Sequence, residues 1–262
     1  MNLLARIGLH SIRRWRSLQY LLAVVWSVLA VAVRPRYWRR AVRDVLARQI
    51  LFTGYEATRF VSVVAVMVGI SIVVQTQVWL TAAGQTQMLG PVLVAIVIRE
   101  AGPLLTNFVV IGRSGTAIAT ELGNMKVNGE VHLLDSQGLD PFIYLVVTRA
   151  LGVAVSVFCL TIIFIVVSFV SGYLCGTLLG NTPADPMRFC NTVLGALTRA
   201  DLFNLLTKTF VPGLMTGVIC CTEGLSIGTA TTEVPQAATR GVVRSTTALF
   251  VISALVSLVT YL

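Results

Sequence analysis

An arginine beside a glutamate inside an apolar run, followed at once by glycine and proline, places ionic chemistry where hydrocarbon is expected. In "VAIVIREAGPLL", residues 94 to 105, Arg99 and Glu100 end an uncharged stretch of 39 residues from Phe60 to Ile98. That stretch is about twice the ~20 residues one bilayer crossing needs. A charge at the centre of a spanning helix costs about 2.5–3.5 kcal/mol on insertion scales. Adjacent helical residues point about 100° apart, so Arg99 and Glu100 do not neutralise each other within their helix. Pro103 has no N–H for the carbonyl of Arg99 and predicts a kink there. Each charge needs a partner on another helix, and the other charges in apolar stretches are Lys208 and Glu223. Arg99, Glu100, Lys208 and Glu223 are therefore the candidate buried charge network. It serves either as a static tie between the second and fourth spans or as a pivot that moves during transport.

Composition sets the solvent in which these residues work. Apolar residues make up 56% of the 262 and charged ones 12%, against ~25% charged in soluble domains, and mean hydropathy is +0.84. Uncharged runs recur over 150–184 and 245–262, and 202–232 is broken only by Lys208 and Glu223. Runs of this length imply spanning helices rather than barrel strands. The expected fold is an all-α integral membrane protein in a single domain over 1–262. A basic interfacial or elbow segment, 1–59, precedes a core of five transmembrane helices, 60–262.

The first 59 residues hold 11 of the 20 Lys and Arg. Their apolar insert "LQYLLAVVWSVLAV" has Arg13, Arg14 and Arg16 on one flank and Arg34, Arg36, Arg39 and Arg40 on the other. Positive charge on both sides disfavours translocating either end, so a helix or hairpin in the interface is expected rather than a cleaved signal peptide. The spans are predicted from about Phe60 to Leu80, from about Met88, from about Phe142, from about Leu202, and over the C-terminal run. With the first running outward, 16 of the 20 basic residues, Arg113, Lys126, Arg149, Arg240 and Arg244 among them, face the cytoplasm, as the positive-inside rule requires. The surplus of +9 is then explained by topology and anionic headgroups, and no nucleic-acid partner is implied.

Small residues mark where helices approach closely. Gly115, Ala119 and Gly123 repeat at four-residue spacing, as do Gly172, Gly176 and Gly180, and both seams are read as helix packing, within one subunit or between two. In "ELGNMKVNGEVHLLDSQGLDP" Asn128 is the expected N-cap of a short amphipathic helix between the second and third spans. Val127, Val131 and Leu134 share its apolar face, and Gly138 with Pro141 closes it. A helix of this kind suits docking a cytoplasmic partner. The wall of a lipid pocket is expected from Ile72, Gln75, Thr76, Trp79, Leu93 and Ile96, an apolar surface with a few amides and hydroxyls; plain bilayer contact is the alternative.

Other chemistry is poorly served. His10 and His132 are the only histidines and no Cys-x-x-Cys occurs, so no metal or other cofactor is expected. Five cysteines, four in spans and Cys190 in an outer loop, do not suit a disulfide framework. The chain has no Gly-x-x-x-x-Gly-Lys-Ser/Thr, hence no nucleotide-cradling loop of its own, and it is read as no enzyme.

"IREAGPLLTNFVVIGRSGTAIATELGNMKV", followed by "GLDP" and by "TR" at 148 and 149, resembles the signature region of the MlaE/YrbE family, permease subunits of ABC-type lipid transporters that work with MCE proteins. "DLFNLLTKTFVPG" resembles the family's fourth-helix start and "AATRGVVRS" the stretch before its last helix, so the likeness runs from about Arg48 to Thr247. Ala101 replaces a leucine, Gly129 and Glu130 a Glu-Gln, His132 and Leu133 an Asp and Ala, Pro235 a glycine and Ser253 an aspartate of the family pattern. The resemblance implies that Glu121, Met125, Lys126, Val127, Glu130, Val131 and Leu134 couple the chain to a separate cytoplasmic ABC ATPase. It also implies a second copy of the chain, a periplasmic MCE-domain lipid-binding protein, a small cytoplasmic STAS-type subunit, a phospholipid or related lipid as cargo, and a multi-pass location in a bacterial inner membrane. The competing reading is an ion-coupled secondary transporter of a hydrophobic substrate, with Arg99, Glu100 and Glu223 as relay, but internal repeats and paired broken helices are not found.

Overall fold

A computed structural model describes residues 3–34, 40–178, 186–228 and 230–261. Arg36, Arg39 and Gly180 lie outside the described residues. Those described form helices and connecting turns: α1 (Leu3–Val33), α2 (Arg40–Ala82), α3 (Leu89–Val127), α4 (Glu130–Ser136), α5 (Phe142–Leu178), α6 (Pro186–Gly195), α7 (Arg199–Leu225) and α8 (Val234–Tyr261). Five of these, α2, α3, α5, α7 and α8, are long and apolar enough to cross a membrane. The chain is thus an all-α integral membrane protein. The apolar part of α1, Gln19–Val33, is shorter than the ~20 residues a crossing needs. Its Leu21, Val24 and Val28 are buried against the bundle while Trp15, Tyr20 and Trp26 are exposed.

The first span is longer than hydropathy alone gives. α2 is continuous from Arg40, so the basic segment before Phe60 and the span after it share one helix. The helices also absorb irregularity without breaking: π-helical turns occur at Leu51–Tyr55, Val94–Ala101, Ile111–Gly115 and Phe142–Val147. The turn expected to kink before Pro103 is one of these wider turns. Such insertions are the form a helix takes when its regular hydrogen bonding is interrupted.

Packing depends on missing side chains. A Cβ on Gly69 of α2 would lie 2.3 Å from the backbone oxygen of Ser168 on α5, and one on Gly172 would lie 2.5 Å from Val73. Ser168 donates to the carbonyl of Ala65 at 3.0 Å across the same crossing. On the other side of α5, Gly213 and Gly217 of α7 lie against Ala154 and Ala150, and Gly224 against Ala119 of α3. Gly115 and Gly123 meet Cys220, Ile227 and Val234, so these two and Gly172 of the second seam pack within this chain. Without a hydrophobic force between helices in lipid, such close approach is what gives dispersion its reach.

Two ends of the bundle differ. At one, α6 lies across the start of α3, with Gly90 against the carbonyl of Thr192, and Cys190 sits on this helix rather than in a loop. At the other, Asn128 ends α3 instead of starting α4, because the left-handed Gly129 (φ 76°) reverses the chain first and is itself the N-cap. Gly138 (φ 75°) closes α4, Leu139 donating to the carbonyl of Leu134.

The α2–α5 crossing yields a stability prediction. Gly69→Ala must push a backbone apart and is expected to destabilise by about 1–3 kcal/mol, whereas Gly112→Ala, with open space around it, is expected to be neutral or mildly stabilising. Thermal unfolding of the two purified variants in one detergent measures the difference, and equal effects would remove the close crossing as the cause.

Candidate functional site

Lys208 lies in the middle of the charge network and is 1% exposed. From α7 its Nζ donates to Glu100 Oε1 at 2.6 Å and to the backbone carbonyl of Arg99 at 3.0 Å, both on α3. That second acceptor exists because of Pro103, four residues on from Arg99, which has no N–H to offer. The reverse arrangement occurs on α7. Pro212 follows Lys208 by four, and the Lys208 carbonyl accepts from Asn107 Nδ2 at 3.2 Å. Asn107, fully buried, also donates to the carbonyl of Pro103 at 2.8 Å. Each helix therefore satisfies a carbonyl that a proline on the other helix's partner position has freed, which is the requirement for irregular backbone in a water-poor interior.

Two further groups complete the cluster. Arg99 Nε lies 2.6 Å from Asp201 Oδ1, and Asp201 is fully buried. The other oxygen of Asp201 accepts from the backbone and hydroxyl of Thr198 at 2.9 and 2.7 Å, forming the capping box that starts α7. Ser257 of α8 donates to Glu100 Oε1 at 2.9 Å. Three helices thus converge on one carboxylate oxygen, at roughly 15 Å along α3 by helical rise. The Glu100 side chain is nevertheless 45% exposed and that of Arg99 27%. The network is sealed on the α7 side and open on the other.

Glu223 is not part of it. It sits near the α4 end of α7, where it pairs with Arg240 at 3.2 Å and with Arg244. The helix runs from Lys208 to Glu223 for about 22 Å by helical rise, which is why an apolar neighbourhood in sequence did not bring them together. Asp201 lies just outside the fourth span that hydropathy predicts from about Leu202, because the helix starts earlier, at Arg199. Its signal is "TRAD", a threonine with an acidic residue three positions later at the head of an apolar run. Asn107 and Ser257 have no comparable signal.

The six proposed pocket residues separate. Leu93 is fully buried with Val73, Val94 and Ile98, Ile72 packs against that cluster and Thr76 is buried, whereas Gln75, Trp79 and Ile96 are exposed. α2 turns Gly69, Val73 and Thr76 inward, and Gln75, two residues from Val73, points about 200° away from it. A distinct apolar groove of 430 Å³ lies between α5 and α6, lined by Ile165, Phe169, Tyr173, Phe189 and Val193 with Ile98 of α3.

The proposed coupling residues also divide by face. Val131, Leu134 and Met125 pack against the core of this chain, and Val127 against Ile227, Val234 and Ala237. Glu130, His132, Leu133 and Asp135 are exposed, Leu133 at 59%, and Lys126 is half-buried. Glu121 pairs with Arg149 of α5 at 2.8 Å. Arg113 and Glu56 join α3 to α2 at 2.7 Å. Among the described residues no three His, Cys, Asp or Glu side chains converge as metal ligands.

Compared with known proteins, residues 46–259 match the family described as Permease MlaE. A probable ABC transporter permease protein of Rickettsia typhi is 26% identical over 245 residues, 94% of this chain and 92% of its own. One of Synechocystis sp. is 29% identical over 242 residues, 92% of this chain and 90% of its own. The intermembrane phospholipid transport system permease protein MlaE of Haemophilus influenzae is 26% identical over 131 residues, 50% of each chain.

The geometry at Lys208 gives a double-mutant test. Lys208→Met takes the ammonium away from Glu100, which keeps Ser257, and leaves the Arg99 carbonyl without that donor; with Glu100 partly exposed it is expected to destabilise by about 1–3 kcal/mol. Adding Glu100→Gln should recover part of that loss, because the uncompensated charge is gone. Additive losses in a denaturation series would show that the two groups do not interact.

Proposed function

The chain belongs to the MlaE permease family, and from that membership we propose that it is the membrane permease of an ATP-driven lipid transporter. It moves phospholipid or a related lipid between the inner membrane and a periplasmic MCE-domain protein, works as a homodimer, and draws on ATP hydrolysed by a separate cytoplasmic subunit. A small STAS-type subunit completes the assembly in this proposal. The observation that carries the reading is the open side of the charge network. A carboxylate 45% exposed on an apolar spanning helix is costly against hydrocarbon, so a polar path or a second copy must cover it. Ile96 lies one helical turn from Glu100 on the same exposed face of α3. With Gln75 and Trp79 of α2 it is proposed to line the lipid path, Glu100 and Arg99 supplying the polar floor for a headgroup.

The network suits a structural tie with one side available for work. Lys208 and Asp201 anchor Arg99 and Glu100, so any polar group reaching them from the open side meets charges already oriented and does not have to order them. On the coupling side, α4 presses Val131 and Leu134 onto the bundle and presents Leu133, Glu130 and His132. A force applied to α4 by an ATPase would therefore pass into the end of α3 and the core it packs against through those two apolar residues.

Two experiments test the proposal. Copurified with its ATPase and reconstituted into vesicles, the chain should move fluorescent phospholipid only with ATP. Flux that persists without ATP and stops with a protonophore would favour ion coupling instead. In the same assay Leu133→Asp should lower ATP-dependent flux at least tenfold while leaving thermal stability unchanged, since Leu133 is exposed and Asp opposes an apolar contact. Orientation is read separately: a cysteine at Gln85 should label only from the periplasmic side and one at Lys126 only from the cytoplasm, and the reverse pattern would invert the topology.

A further inference from the structure

The α4 end of the bundle holds a second cavity, of 760 Å³, which the lipid path described above does not use. Arg48 of α2, Thr120, Glu121 and Asn124 of α3 and Arg149 of α5 line it, with Val45 and Phe52 of α2 as apolar wall. Arg149 is a built element of the site, its side chain 8% exposed. One terminal nitrogen bonds Glu121 at 2.8 Å and the other donates to the carbonyl of Leu145 at 3.3 Å. Its Nε is buried without a hydrogen-bond partner. Arg48 and Glu121 are exposed at the rim.

Depth and charge select the occupant. Arg149 is seven residues into α5 and Thr120 seven before the end of α3, each about 10 Å from its helix end. Helices of 37 and 39 residues overshoot a ~30 Å hydrocarbon core on both sides, so this level falls in the headgroup layer. Two arginines against one glutamate leave a net single positive charge, matching a phosphodiester monoanion. Guanidinium groups hold phosphate with charge-assisted bonds, and basic recesses between spanning helices at a membrane face bind anionic headgroups. The Thr120 hydroxyl and Asn124 amide offer further donors, while Phe52, exposed beside the cavity, would lie against glycerol and the upper acyl chain.

We propose that this cavity binds the phosphodiester headgroup of a phospholipid in the leaflet at the α4 end, its phosphate on Arg149 and Arg48. The inference rests on the permease reading only for its membrane setting. Glu121 then acts as a brake, occupying Arg149 and repelling the incoming anion. The sign of its effect separates a binding role from a structural one.

The test uses the delipidated chain alone in nonionic detergent, without ATPase or ATP, so that its outcome and that of the flux assay are independent. Phosphatidylglycerol is added back and bound lipid is counted by native mass spectrometry. One tightly held lipid per chain is expected, with affinity lowered about tenfold by Arg149→Gln and about threefold by Arg48→Gln, and raised about threefold by Glu121→Gln. Arg48 is exposed, so Arg48→Gln carries the test if Arg149→Gln fails to fold. Binding that is unchanged in Arg48→Gln, or lowered by Glu121→Gln, would overturn the proposal. So would inorganic phosphate displacing the lipid at equal concentration, which would mark a free-anion site.

Discussion

The Lys208 ammonium, held between the Glu100 carboxylate and the carbonyl of Arg99, is the interaction on which the rest of the bundle depends. A proline in a spanning helix leaves a backbone oxygen without its usual donor, and in hydrocarbon no water replaces it. Here the vacancy at Arg99 is filled by a charged side chain from a neighbour whose own proline-freed carbonyl accepts from Asn107. The two helices are therefore not interchangeable cylinders. Sliding one against the other by a turn would unpair a cation, a carboxylate and two carbonyls together, and this fixes their register more tightly than apolar packing does.

Around that register the small residues of α7 have a clear purpose. Gly213, Gly217 and Gly224 bring its backbone against Ala154 and Ala150 of α5 and Ala119 of α3, and a lysine side chain buried at this depth needs such short distances to reach its acceptors. α8 joins the cluster by one hydroxyl, that of Ser257. The charge arrangement is consequently strong on the side of α7 and open on the other, where Glu100 remains partly exposed. An assembly of two copies would have a polar feature to cover there and an oriented one to exploit.

The α4 end of the bundle follows a different logic. Glu223 is held by Arg240 and Arg244, and Arg149 by Glu121, so ion pairs brace this end of the bundle, each with one partner about half exposed and so with less desolvation to offset than a fully buried pair. α4 is clamped to this braced region by Val131 and Leu134 and shows its polar edge and Leu133 to solvent. Motion entering through α4 would meet a stiff lever, with the register at Lys208 as its far point.

Membrane class, the five spans and the family were legible in the sequence, because they follow from local quantities: runs of uncharged residues, the distribution of arginine, and a contiguous motif from Arg99 to Val127. That Arg99 and Glu100 need partners elsewhere was also readable, since adjacent helical positions diverge. Lys208 was readable as a candidate partner, but that Lys208 and not Glu223 joins them, and that Asp201 takes Arg99, was not. Glu223 and Lys208 look alike as single charges in one apolar helix, yet 15 residues of rise put Glu223 beyond the network's reach. Asp201 was hidden behind a helix boundary, and Asn107 by having no charge. The rotation of α2, which hides Thr76 and exposes Gln75, and the face of α4 that meets the bundle are set by glycine contacts at Gly69 and Gly172 and by the left-handed turn at Gly129. Only the tertiary structure decides such matters, because a helix's own sequence gives the separation of its faces but not the direction in which its neighbours lie.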